Sequence, residues 1–157
     1  MTSIRKATAP DLPILSDGLR ALARDIGDPY PMSDAALAEA LFGPAPICHA
    51  LIAGHDAPTG LALFTPLVST SLGGTGAFVS DLWVAGTQRG LGLGERLLCG
   101  VLETSGQLWG ARYLRLTVYD DNPHALRFYE RLGFLRKASE HPLILMPDAA
   151  GRLRGAA

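Results

Sequence analysis

The apolar positions of this chain follow two periods. Leu12, Leu15, Leu19, Leu22 and Ile26 recur at three- and four-residue spacing, which lines one face of an α-helix. Thr8 is placed as its cap, and Pro10 falls in its first turn. Gly27-Asp28-Pro29-Tyr30-Pro31 breaks the pattern; a shorter helix is expected over 33–42, with Leu37 and Leu41 inward. Leu93, Leu97, Leu98, Val101, Leu102 and Leu108 make a second long helical stripe. The other segments read as strands. Residues 4–7 form a short one, and residues 47–53 and 60–68 form a hairpin, with Pro66 marking a bulge or an edge. After a polar, glycine-rich loop over 69–76 comes a strand over 77–84. In the strand over 113–119, Leu114, Leu116 and Val118 face one way and Tyr113, Arg115, Thr117 and Tyr119 the other. A helix over 123–132 is stopped by Gly133; two closing strands are expected at 134–135 and 143–146, and a frayed tail at 148–157. The order β-α-α-β-β-β-α-β-α-β-β predicts a single α/β domain over 1–147, a mixed sheet with helices on its faces.

Composition narrows the class without naming a function. With 48% hydrophobic and 18% charged residues in 157, the chain is globular rather than disordered. A formal net charge of -1 argues against nucleic acid or an anionic membrane as partner. Two cysteines, Cys48 and Cys99, cannot make a disulfide framework, so a cytoplasmic location is expected. The N-terminus has no apolar signal core, and no stretch reaches the length of a membrane span. His49, His55, His124 and His141 lack the spacing of metal ligands, so no metal is expected.

The chemistry lies in the run from Asp81 to Leu98. A strand ends, Gly90, Gly92 and Gly94 follow at every second residue, and a helix starts. Helix N-termini leave backbone N–H groups unpaired at the positive end of the macrodipole, and glycines let an anion come close. Arg89 adds a forked cation suited to phosphate. The turn reads as a pyrophosphate cradle. No Lys-Ser/Thr follows the last glycine, so it is not a P-loop, and the spacing is not the dinucleotide-binding G-x-G-x-x-G.

Arg89-Gly90-Leu91-Gly92-Leu93-Gly94 matches the R-x-x-G-x-G signature of the GNAT acetyltransferase superfamily. Downstream, the run from Asn122 to Phe134 matches that superfamily's N-x-x-A-x-x-F-Y-E-x-x-G-F, through Asn122, Ala125, Phe128-Tyr129-Glu130 and Gly133-Phe134. The resemblance extends to about Met146. It implies a single-domain, mostly antiparallel sheet with helices on both faces and a central splay between two parallel strands. A narrower resemblance, through residues 34–53 and Ser80-Asp81-Leu82-Trp83-Val84, is to the diamine (spermidine/spermine-type) acetyltransferases, where Glu is usual at the position of Ser80.

The resemblance implies that acetyl-CoA enters the splay. Leu82, Trp83 and Val84 would pair with the pantetheine arm while their side chains pack. The pyrophosphate would rest on Arg89, Gly90, Leu91, Gly92, Leu93, Gly94 and Glu95. Asn122 and Ala125 would lie near the cofactor arm, although Asn122-Pro123 is also an ordinary helix start. Tyr129 would protonate the departing thiolate, the alternative being a core tyrosine. Asp81 would take the proton of the acceptor amine, directly or through water, the alternative being a solvated strand-end carboxylate. The implied activity is acetyl transfer to a primary amine of a small molecule: a diamine, a polyamine or a lysine-like amino acid. A protein N-terminus or lysine is the alternative acceptor, and a non-catalytic acyl-CoA-binding regulatory module the alternative of another class. The family also implies a homodimer.

Overall fold

In a computed structural model describing residues 2–155, the spacing of Leu15 and Leu19 becomes one buried face of a helix, α1 (Leu12–Ile26). It is preceded by β1 (Ile4–Lys6) and a 3-10 turn, Ala9–Asp11, and ends at Gly27 in the left-handed conformation. Asp34–Phe42 is α2, capped by the Ser33 hydroxyl, which accepts from the Ala36 N–H at 3.1 Å. Then come β2 (His49–Ala53), β3 (Gly60–Ser69), β4 (Gly74–Val84), α3 (Leu93–Trp109) and β5 (Leu114–Arg115).

The five strands lie in chain order in one sheet, antiparallel from β1 to β4, with β5 parallel to β4. This is the mixed, mostly antiparallel architecture expected. One face packs on α1 and α2 through Leu15, Leu19, Leu37, Leu41, Ile52, Leu61 and Trp83. At Gly18 a Cβ would meet the Leu61 side chain at 2.4 Å, so glycine sets how closely α1 approaches β3. The other face carries α3, whose Leu93, Leu97, Leu98 and Val101 are buried. Trp109 at its end packs with His49 and Phe64 and donates its indole N–H to the Gly76 carbonyl.

Several boundaries differ from the sequence reading. β4 begins at Gly74, because the turn after β3 is tight and the hairpin ladder runs on to Ser69↔Gly74. Pro66 lies past the end of the β2 ladder, on a free edge where its missing N–H costs nothing, and the bulge sits across the ladder in β4. β5 is Leu114–Arg115 rather than 113–119, since its ladder stops at Phe78↔Arg115, two residues short of that bulge.

The residues fall into two compact units, Met1–Thr117 and Val118–Ala157. The second holds α4 (Pro123–Arg131) and α5 (Pro147–Gly155). The strands expected at 134–135 and 143–146 are not formed, and Leu135, Leu143 and Ile144 are exposed. Such short apolar runs do not by themselves decide between strand and coil. The tail read as frayed over 148–157 carries α5, with Pro147 at its first position; Ala156 and Ala157, like Met1, lie outside the described residues. Among the described residues no helix is long and apolar enough to cross a membrane.

Candidate active site

The site is built on the end of β4. In the β3–β4 ladder Leu63 pairs with Asp81 and Phe64 with Val79, which leaves Ser80 as the extra, bulged residue. Beyond it β4 keeps its ladder to β3 and has no β5 partner among the described residues, so the two parallel strands part. The Ala85 N–H donates to the Thr59 carbonyl on the β3 side. Strand alternation therefore turns the backbone groups of Leu82 and Val84 to the opposite side, into the gap left by β5. An extended ligand with amide groups fits there as an added strand.

β4 runs into a 3-10 turn, Gly86–Gln88, and then the glycine turn. Gly90 and Gly92 both have φ of 77°, a conformation that suits glycine and strains other residues. Gly92 is the N-cap of α3, and Arg96 N–H makes the first intrahelical bond to its carbonyl at 3.1 Å. The N–H groups of Leu93, Gly94 and Glu95 precede that bond and have no intrahelical acceptor. A Cβ built at Gly90 or Gly92 would meet nothing within 4 Å, so the cradle opens outward. Leu91 is exposed and Leu93 buried.

The Arg89 guanidinium has partners outside the glycine turn. Its Nε–H donates to the Val84 carbonyl at 2.9 Å and its Nη2 to Asp25 Oδ2 at 2.5 Å. The same Asp25 oxygen accepts the indole N–H of Trp83 at 3.0 Å. Asp25 was not singled out in the sequence. It sits on the polar face of α1, its partners are 58 and 64 residues away, and no local pattern announces such a contact.

Asp81 points to the same face of the sheet as Trp83, two residues on. Burial raises its pKa, and a hydrogen bond from Ser80 Oγ, 2.7 Å to Oδ2, opposes that shift. Burial, with the Asp81 charge adding to it, also raises the Cys48 thiol. Tyr30, in the break between α1 and α2, is raised by burial; Arg20 opposes this, while Asp34 and Asp81 add to it. The Tyr30 hydroxyl is buried without a hydrogen-bond partner. Ser16 also opposes the rise in the Tyr30 pKa, and it gives its own proton to Asp34 at 2.5 Å. The charge of Asp81 thus adds to what keeps the Cys48 thiol and the Tyr30 hydroxyl protonated.

In the second unit, Asn122 caps α4: its side chain accepts from the Ala125 N–H at 3.1 Å. Tyr129 stands on this helix with its ring edge-on to Phe128 and Phe134, at centroid distances of 5.0 and 5.4 Å. Burial pushes its hydroxyl up to about 12. Among the described residues, no group of three His, Cys, Asp or Glu side chains gathers as metal ligands would.

Comparison with known proteins agrees with this architecture. The chain is 33% identical over 46 residues to a spermine/spermidine N(1)-acetyltransferase of Bacillus subtilis (strain 168); the match covers 29% of this chain and 30% of that relative's length. It superposes with a TM-score of 0.76 on an integron cassette protein from the mobile metagenome of V. cholerae, at 21% identity over 98% of this chain and 97% of the other. It superposes with a TM-score of 0.71 on a transcriptional regulator from Bacillus halodurans C-125, at 26% identity over 93% and 99% of the two chains. Residues 16–134 match the family model described as Acetyltransferase (GNAT) family, and with most of its length inside that match the chain belongs to the GNAT acetyltransferases.

Proposed function

We propose that this protein is an N-acetyltransferase that moves the acetyl group of acetyl-CoA directly to a primary amine of a small molecule. The observation that carries the reading is the open β4 edge at Leu82 and Val84 running straight into the left-handed glycine turn. In this reading the backbone of Leu82 and Val84 binds the pantetheine arm, while Trp83 between them turns its backbone to β3 and packs through its side chain. The N–H groups of residues 90–95 hold the pyrophosphate, with Asn122 and Ala125 near the arm. Ammonium groups must lose a proton before they attack. Asp81, with its pKa raised by burial, is a stronger base than a solvated carboxylate and takes that proton directly or through water. The amine adds to the thioester carbon, the carbon–sulfur bond breaks, Tyr129 gives its proton to the departing thiolate, and the second proton that the nitrogen sheds on becoming an amide returns through solvent to the tyrosine.

The acceptor class follows from Asp81 and from the short match to a polyamine acetyltransferase: a diamine, a polyamine or a lysine-like amino acid. The net charge of -1 supplies no broad acidic field for a long polycation, which favours the shorter amines. The reading includes a homodimer in the cytoplasm. Thiol release from acetyl-CoA, measured over a panel of diamines, polyamines, amino acids and N-terminal peptides, tests it. Acetylation of peptides alone would move the assignment to a protein acetyltransferase. Acetyl-CoA binding with no thiol release would favour a regulatory module, the class suggested by the name of the Bacillus halodurans neighbour.

A further inference from the structure

Resting on the acetyl-CoA reading, we infer that Asp25 is a positioning residue for the cofactor turn: it clamps Arg89 onto the Val84 carbonyl and so keeps that arginine off the pyrophosphate. One carboxylate oxygen, Asp25 Oδ2, takes both the Trp83 indole N–H and Arg89 Nη2, at 3.0 and 2.5 Å. The Arg89 Nε–H is then turned onto Val84 at 2.9 Å. Four groups from α1, β4 and the start of the glycine turn are thereby tied together.

Two consequences follow. Val84 presents its carbonyl on the open side of β4, where an added strand pairs. With that carbonyl capped by Arg89, the open edge offers the N–H and C=O of Leu82 and the N–H of Val84. A pantetheine amide has its register chosen for it. The guanidinium is also neutralised by Asp25, so the turn meets phosphate through backbone N–H groups and the dipole of α3. Arg89 matters to cofactor binding through the backbone it holds, and its effect does not need a phosphate.

Calorimetry with acetyl-CoA and with S-acetylpantetheine, which lacks the pyrophosphate, separates this from direct phosphate binding. Under the clamp, Asp25→Asn and Arg89→Gln each weaken acetyl-CoA by about tenfold, the loss of one charge-assisted hydrogen bond. The double variant is no worse than either single one, and S-acetylpantetheine shows the same losses. Asp25→Glu recovers part of the affinity. A ligand-free readout accompanies these: the Trp83 indole N–H resonance shifts in Asp25→Asn and also in Arg89→Gln. If Arg89 instead grips the phosphate, Asp25→Asn frees it and tightens acetyl-CoA, and Arg89→Gln leaves S-acetylpantetheine untouched; either result overturns the clamp. So does an indole resonance that neither variant moves. A wild-type chain that binds neither ligand while the indole resonance shifts as expected would instead remove the acetyl-CoA reading, and with it the role of Asp25 toward a cofactor.

Discussion

Ser80 donates its hydroxyl to Asp81 Oδ2 at 2.7 Å from the one bulged position in the β3–β4 ladder. The bond favours the charged carboxylate and so partly offsets the upward pull of burial on Asp81. Ser80→Ala removes it. The Asp81 pKa then rises further, and the acid limb of the kcat/KM profile moves to higher pH by up to about one unit, the worth of one ordinary hydrogen bond. The plateau at high pH is unchanged, since the base is then ionised in both proteins. A limb that does not move would take Asp81 out of the titration.

Asp81→Asn separates stability from activity. A carboxylate whose native pKa is raised contributes stability that is full below its ordinary value of 3.8 and lost as pH rises through the native value. At neutral pH the wild type therefore bears the cost of an ionised, partly desolvated group, and the amide does not. The variant is expected to melt a few degrees higher at pH 7, roughly 2–4 °C, with the gap closing in acid. Its turnover falls most at low pH, where the acceptor needs a base. Calorimetric melting at pH 7 and pH 4, set beside initial rates, checks both halves.

Local patterns carried most of the helices and the strand-to-turn motif. Leu15 and Leu19 are buried on α1 as their spacing implies, and Asn122 caps α4 as Asn-Pro pairs do. Long-range relations were hidden. Nothing near Asp25 signals its bonds to Trp83 and Arg89, and a bulge at Ser80 depends on the register with β3, which one strand's sequence does not encode. Alternation over 113–119 described a strand that β4 accompanies for only two residues, Leu114 and Arg115. α5 did have a signal: Pro147 at its start followed by Ala, Leu and Arg, with Gly151 weakening its interior.

The carboxylate of Asp11 accepts two bonds from Arg5, at 2.6 and 2.7 Å, and two from Thr8, from its N–H and its hydroxyl, both at 2.8 Å. The Arg5 guanidinium is the main reason its pKa lies well below the usual carboxylate range. The stability this supplies is full above the ordinary value of 3.8 and lost as pH falls below it toward the lowered native value. Asp11→Ala should cost about 1–3 kcal/mol in urea unfolding at pH 7, and much less at pH 2. An equal cost at both pH values would show that packing, not charge, is what Asp11 supplies.

Gly92 holds φ at 77° with open space where a side chain would stand. Asn tolerates that conformation better than other residues. Gly92→Asn should therefore fold with a loss of less than about 1 kcal/mol, while its side chain projects over the cradle and weakens acetyl-CoA by tenfold or more. Gly92→Val adds backbone strain of about 1–3 kcal/mol and should lower the melting temperature as well. Unchanged acetyl-CoA affinity in a folded Gly92→Asn protein would move the pyrophosphate away from this turn.

Tyr129 is the residue on which the proposed chemistry is most exposed to test. Its ring is braced edge-on by Phe128 and Phe134, and these contacts survive in Tyr129→Phe. Burial lifts the hydroxyl to about 12, so it keeps its proton at neutral pH and has one to give. A donor that acts on the leaving thiolate is needed in the transition state and hardly at all in the ground state. Tyr129→Phe should then lower kcat by roughly 10²–10⁴-fold, the range for a positioned general acid. Acetyl-CoA affinity and melting temperature should scarcely change. Single-turnover rates with a good acceptor keep slow product release from masking the step. If kcat stays near wild type there, the hydroxyl is structural and the thiolate takes its proton from solvent. If affinity falls along with rate, Tyr129 binds the cofactor arm rather than serving the bond that breaks.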